Sequence, residues 1–271
     1  MKTITSRSNP LYRQLLGQFK HAGRPGHAVW LEGVHLCQAW LMHQRKPQWA
    51  LFAQEAQDSA EIGSLASQVS SDRQIWFPQK LLASLSTLVT APSVIFVGEL
   101  APVIELEISE SLPKAGSWVL LDAIQDPGNV GTMLRTAAAA GIKSVVAGLG
   151  TAACWSPKVL RAGQGAQFAL DIYESIDLCQ VVKSWLSQDK RPLILATALD
   201  PQAKSLHDLD LNRPVAWIFG NEGLGVSPSL LALADHKVSI DYESEAVESL
   251  NVSSAAAICL FEQRRQSRPI H

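Results

Sequence analysis

The strongest constraint on the fold is a run of short, wholly apolar segments, separated by helical stretches, in the second half of the chain. "PLILATA" (192–198) and "VAWIFG" (215–220) carry no polar alternation, so both faces of each strand must be covered, as in a parallel sheet between helical layers. From Trp118 onward the pattern predicts strands at 118–122, 143–147, 192–197, 215–219 and 237–240. Helices fall at about 131–140, 177–188, 227–234 and 249–265. The first hundred residues predict a smaller α/β layer: strands at 28–33, 49–54, 75–77 and 93–99, and helices at 34–45, 60–69 and 79–86. Between them, "LAPVIELEISESLPKAGS" holds two prolines, a glycine and several acids. The expected division is a domain at 1–100, a linker at 101–117 with room for an edge strand, and a second domain at 118–271.

A chain of 271 residues suits two such domains. Its 47% hydrophobic and 18% charged content exclude a disordered protein. No apolar run approaches the ~20 residues of a membrane span, and "MKTITSRSNPLYRQLL" lacks the apolar core of a signal peptide. The expectation is a cytoplasmic protein with no membrane partner. Cys37, Cys154, Cys179 and Cys259 form no C-x-x-C pair, so reduced thiols and no metal site are expected. The net charge of −2 hides a segregation. Residues 1–50 hold Lys2, Arg7, Arg13, Lys20, Arg24, Arg45 and Lys46 against one acid, Glu32, and the tail adds Arg264, Arg265 and Arg268. Charge alone leaves a phosphate-binding face and a solvated surface equally open.

In open α/β sheets, ligands bind beyond the carboxyl ends of the strands, and three such ends carry unusual residues. In "LDAIQDPGNVGTMLRTAAAAGI" (121–142), Asp126 and Pro127 form a cap and first turn, and Arg135 lies one turn past Gly131 as the only nearby cation. In "WIFGNEGLGVS" (217–227), Gly220, Gly223 and Gly225 expose backbone groups. Glu222 disfavours a bare phosphate there, and neither a P-loop nor G-x-G-x-x-G is present. In "VSIDYESEAVESLNVSSAAAICLFEQRR" (238–265), Ser249, Asn251, Ser253 and Ser254 crowd the start of a helix where one cap would suffice. A fourth segment, "WSPKVLRAGQGAQF" (155–168), places Lys158 and Arg161 on one helical face, in reach of a phosphate or of solvent.

Together these segments resemble the SpoU (TrmH-like) branch of the SPOUT methyltransferases, with "DPGNVGTMLRTAAAAG", "WIFGNEGLGVS" and "ESLNVSSAAAICLFE" matching three family motifs in order. The N-terminal "LEGVHLCQAWL" is similar to the L30e-like substrate-binding domain fused to many members. The resemblance implies an α/β fold with a C-terminal trefoil knot, S-adenosylmethionine as cofactor, RNA as substrate and a homodimer. It implies catalytic roles for Arg135, Asn129, Glu222, Asn251 and Ser253. It implies a cofactor site made by Thr197, Gly220, Asn221, Gly223, Ile240, Ser249 and Leu250. RNA contacts would fall to Arg7, Arg13, Lys20, Arg24, Lys158 and Arg161. Relatives often carry a Pro-Met-x-Gly-like loop where this chain has the longer, acidic "IDYESEAVESLN". The expected reaction is methylation of a ribose 2′-hydroxyl, with ribosomal RNA favoured by the added N-terminal domain. A tRNA methyltransferase, an antibiotic-resistance methyltransferase, an inactive assembly factor and a plain nucleotide-binding protein are the alternatives.

Overall fold

The computed structural model describes residues 2–99, 116–243 and 245–267. The expected linker and its edge strand lie outside the described residues save Gly116 and Ser117, as does Arg268. By mutual contact the chain divides into two units: residues 2–99 with Trp155–Phe168, and residues 116–154 with 169–267.

The first unit runs β1 (Lys2–Thr3), α1 (Pro10–Phe19), β2 (Val29–Glu32), α2 (Val34–Met42), β3 (Trp49–Ala53), α3 (Ala60–Ser67), β4 (Gln74–Phe77), α4 (Gln79–Ala83) and β5 (Val94–Gly98). Its sheet has the order β1-β4-β3-β5-β2, with β5 antiparallel to both neighbours and the other pairs parallel. Tyr12, Leu15, Trp30, Leu51, Phe77 and Ile95 meet in its core, and the Trp30 indole donates to Leu85 O at 2.9 Å. Helix α1 is absent from the sequence-based expectation. Its start was legible all the same: Asn9 Oδ1 accepts from Leu11 N at 2.9 Å, and Pro10 occupies the first turn.

The second unit runs β6 (Trp118–Asp122), α5 (Pro127–Ala140), β7 (Ser144–Gly148), α6 (Pro157–Gly163), β8 (Asp171–Ile176), α7 (Leu178–Leu186), β9 (Leu193–Thr197), β10 (Lys204–Ser205), β11 (Val215–Gly220), α8 (Pro228–Leu231), β12 (His236–Ser239) and α9 (Val252–Ser267), with α6 itself counted in the first unit. Seven parallel strands are ordered β10-β12-β9-β11-β6-β7-β8. Side chains alternate across each strand. Trp118, Leu120, Ala216 and Ile218 therefore pack with Val181 and Trp185 of α7 and Leu230 of α8. On the opposite face the Trp217 indole donates to Gln263 Oε1 of α9 at 2.8 Å. Helix α9 lies along α5, and Arg264 Nη1 donates to Ala140 O at 2.9 Å, just before the left-handed cap Gly141.

Strands β8 and β10 were not anticipated. β8 is an edge strand of mixed exposure with charges at Asp171 and Glu174, so its sequence lacks a continuous apolar run. Its ladder with β7 shifts register where Ser175 takes a φ of 60°, a bulge that blunts the edge.

The segment Trp155–Phe168, inside the span expected for the second domain, is built into the first unit. Arg161 Nη1 reaches the Glu32 carboxylate at 2.8 Å and Thr87 Oγ1 at 2.6 Å. Arg45 lies between the rings of Trp40 and Trp155, at 5.1 and 5.8 Å.

Within the second unit, burial pushes the Glu174 carboxyl above its ordinary range, and hydrogen bonds from Cys154 offset this only in part. A carboxyl raised in the folded state destabilises the protein above that raised value. The cost fades as the pH falls through it toward the unfolded value. Glu174→Gln keeps an acceptor for Cys154 N. It should raise Tm by a few degrees at pH 8, with the gap to wild type closing by about pH 4 as measured by calorimetry.

Candidate active site

The ends of β6, β9, β11 and β12 converge on one side of the second unit's sheet. A single-turn cap starts α5: Asp126 Oδ1 accepts from Asn129 N at 2.9 Å. The turn before it is held by the loop after β11. Glu222 accepts from Gln125 N at 3.1 Å, from Asp126 N at 3.0 Å and from Asn129 Nδ2 at 3.0 Å. Partial burial works to raise the Glu222 carboxyl, and these three hydrogen bonds overcome it and hold the group below the usual carboxylate range. Asn221 braces the same turn, donating to Ala123 O at 2.8 Å while accepting from Gly223 N and Leu224 N.

The third loop closes the set. Asn251 Nδ2 donates to Asn129 Oδ1 at 3.1 Å, and Asn251 Oδ1 caps α9 through Ser253 N at 2.9 Å and Ser253 Oγ at 2.6 Å. Asn129, Glu222, Asn251 and Ser253 thus form one connected group. Arg135 stands on α5 six residues beyond Asn129, roughly 9 Å along the axis. It is exposed, and its guanidinium makes no hydrogen bond or ion pair among the described residues.

Beside this group lies a cavity of about 810 Å³, enclosed by the loops that follow β9, β11 and β12. Thr197, Gly220, Asn221, Gly223, Ile240, Ser249 and Leu250 all line it. The sequence did not single out Leu199, Asp200, Tyr242 or Val252, which line it too. Asp200 is ion-paired with Lys237 at 2.6 Å, and Tyr242 donates to Glu248 O at 2.8 Å across the acidic loop. Only their place after strand ends could have signalled them. The size suits a nucleoside-sized ligand. Leu199, Val226, Ile240 and Leu250 give the cavity apolar walls, and Asp200, Glu222 and Glu248 bring carboxylates to its lining, a mixture that fits the apolar and cationic parts of S-adenosylmethionine.

The residues expected to touch RNA separate into two groups. Arg7, Arg13, Lys20, Arg24 and Lys158 are exposed in the first unit, with side chains unpaired among the described residues. Arg161 is instead committed to Glu32 and Thr87, within the protein. Among the described residues no group of His, Cys, Asp and Glu is placed to hold a metal ion, and no helix is long and apolar enough to cross a membrane.

A sequence model described as the SpoU rRNA methylase family matches residues 117–261. The chain belongs to that family. An uncharacterized tRNA/rRNA methyltransferase of Synechocystis is similar to this SpoU chain along nearly its whole length, 33% identical over 97% of this chain and 94% of its own. The 23S rRNA (guanosine(2553)-2′-O)-methyltransferase RlmP of Bacillus subtilis is 39% identical over 57% of this SpoU chain and 60% of its own. Among solved structures, the AdoMet-bound rRNA methyltransferase of Sinorhizobium meliloti has the same fold, with a TM-score of 0.81 over 99% of both chains at 23% identity.

Proposed function

We propose that this chain is an S-adenosylmethionine-dependent methyltransferase that methylates a ribose 2′-hydroxyl of ribosomal RNA. The observation that carries the reading is Arg135. It is an exposed cation, unpaired among the described residues, on the helix that also bears Asn129, whose side chain is held by Glu222 and Asn251 at the edge of a nucleoside-sized cavity. The family, and the 2′-O-methylation in the name of the Bacillus relative, support it.

Bound in the cavity, the cofactor supplies an electrophilic methyl group. The protein's own residues then have to place a ribose oxygen in line with it, which is a large part of the rate gain in such reactions. A ribose hydroxyl is a poor nucleophile until its proton departs, here to solvent water at the exposed Arg135, and the nearby guanidinium favours the alkoxide. Arg135 serves that role and grips the adjoining phosphate. Its charge is permanent, so it acts by electrostatics and positioning. Asn129 and Asn251 orient the nucleotide, and Glu222 and Ser253 complete the network. Gly220, Asn221 and Gly223 offer backbone and amide groups to the cofactor. Thr197, Ile240, Ser249 and Leu250 wall it.

The same reading includes a homodimer, the trefoil knot formed by the C-terminal segments, and work in the cytoplasm. The exposed Ile258 and Phe261, one turn apart on α9, suit a face covered by a second copy.

The first unit acts as an L30e-like grip on structured RNA through Arg7, Arg13, Lys20, Arg24 and Lys158. RNA affinity should fall steeply with salt. Replacing Arg13 and Arg24 by Ala should flatten the log–log salt slope by about one for each phosphate no longer neutralised. Arg161→Ala should instead lower Tm, because it strands the buried Glu32 carboxylate. Filter binding across a salt series and thermal melts separate the two effects.

Transfer of labelled methyl to unmodified ribosomal RNA, with tRNA in parallel, tests the reading. Incorporation into ribosomal RNA is expected. Incorporation into tRNA alone overturns the substrate.

A further inference from the structure

The side-chain hydrogen bonds from Glu222 to Ser253 run in one direction, and that direction is imposed from both ends. A carboxylate only accepts, so Asn129 must turn its amide nitrogen to Glu222, at 3.0 Å. The Asn129 oxygen then faces Asn251, which must present its own nitrogen, at 3.1 Å. The Asn251 oxygen is left for the start of α9, where it accepts from Ser253 N at 2.9 Å. A backbone N–H only donates, so this end demands the same orientation independently. Glu222 is itself fixed by the N–H groups of Gln125 and Asp126. Each amide nitrogen keeps one hydrogen uncommitted among the described residues.

We propose that Glu222 is a positioning residue, the terminal acceptor that sets the direction of the Asn129–Asn251 chain so that both amides offer an N–H to an oxygen of the bound nucleotide. The inference rests on the ribose-methyltransferase reading and deepens it. Glu222 neither takes the hydroxyl proton nor touches the methyl group. Reversing either amide would turn an oxygen toward a ribose or phosphate oxygen, which repels it.

Two substitutions and their combination test the direction itself. Glu222→Gln can keep its remaining oxygen on Asn129 and Asp126 and give up only its bond to Gln125, so kcat should fall a few-fold. Asn251→Asp still caps α9, since its carboxylate accepts from Ser253 N. It places an acceptor against the Asn129 oxygen, however, and Asn129 cannot turn away because Glu222 holds its nitrogen. We expect kcat to fall by about tenfold or more.

In Glu222→Gln/Asn251→Asp the whole chain can reverse. Asn129 donates to Asp at position 251 and accepts from Gln at position 222. The Tm of the double variant should therefore recover to near that of Glu222→Gln, whereas kcat should stay at least as low as in Asn251→Asp, because the reversed chain turns the Asn129 oxygen toward the nucleotide and leaves no N–H at position 251. Tm losses that add in the double variant, a double variant whose kcat recovers to that of Glu222→Gln, an inactive Glu222→Gln, or a silent Asn251→Asp each overturn the proposal. The Tm cycle reads the chain without turnover. A wild type that transfers no methyl but shows the Tm rescue therefore counts against the proposed reaction, not against the direction of the chain.

Discussion

Arg135→Ala should lower methyl transfer to ribosomal RNA by about a thousandfold while leaving affinity for S-adenosylmethionine near wild type. The size follows from the role. Removing one fixed electrostatic group aimed at developing negative charge costs roughly 10²–10³ in rate, and here the same group also holds the substrate phosphate. The selectivity follows from placement. Arg135 is exposed, has no partner among the described residues, and is not among the residues lining the cavity. Its loss opens no void and strands no buried charge, so Tm should stay within a degree or two of wild type. Lysine should rescue poorly, because a point charge cannot reproduce the planar fork on a phosphate. Single-turnover kinetics beside calorimetric cofactor binding separate the two quantities. A variant that turns over at the wild-type rate contradicts the mechanism.

Gly220→Ala should abolish cofactor binding and destabilise the fold together. A methyl group at this position would sit 2.0 Å from Val226 N and 2.1 Å from Gly225 C. Both are backbone atoms of the loop that folds back on the strand end, so no side chain can swing aside. The loop must open, and with it go the Asn221 and Glu222 hydrogen bonds to the turn before α5. We expect cofactor affinity to fall at least about a hundredfold, and Tm to drop by several degrees as for a strained core substitution. Gly223 is the stability control. Its nearest neighbour to an added methyl is Asn221 Oδ1 at 3.7 Å, an ordinary van der Waals distance, so Gly223→Ala should leave Tm unchanged. Equal Tm losses at the two positions would contradict this account of the loop.

The parts of the fold legible in the sequence are those where one physical rule acts alone. β6, β9 and β11 are central parallel strands buried almost throughout, and their apolar runs announce them. β8 is an edge strand, and its half-exposed, charged sequence reads as a loop. Helix α1 has its start signal in Asn9-Pro10, but its ten residues bury only Tyr12 and Leu15, so its apolar stripe is too short to stand out as a period. Arg161 shows a different limit. Helical spacing put it beside Lys158, but its partner is Glu32, 129 positions away, and local spacing carries no information about such a pair.

The site was legible in a similarly divided way. Glycines at strand ends and spare polar groups at a helix start marked the loops by their own chemistry. Local sequence could not bring Asn129 to Glu222 and Asn251, 93 and 122 positions away. That juxtaposition came from the family motifs. Asp200 and Tyr242 belong to no motif and reach the cavity only through loop geometry.

The atom that receives the methyl group separates ribose chemistry from base chemistry. Ribosomal RNA labelled by this enzyme should be hydrolysed in alkali, which cleaves the chain only where a free 2′-hydroxyl can attack the neighbouring phosphate. Recovery of the label in an alkali-resistant dinucleotide is the expected result. Label released in mononucleotides would place the methyl on a base and contradict the account.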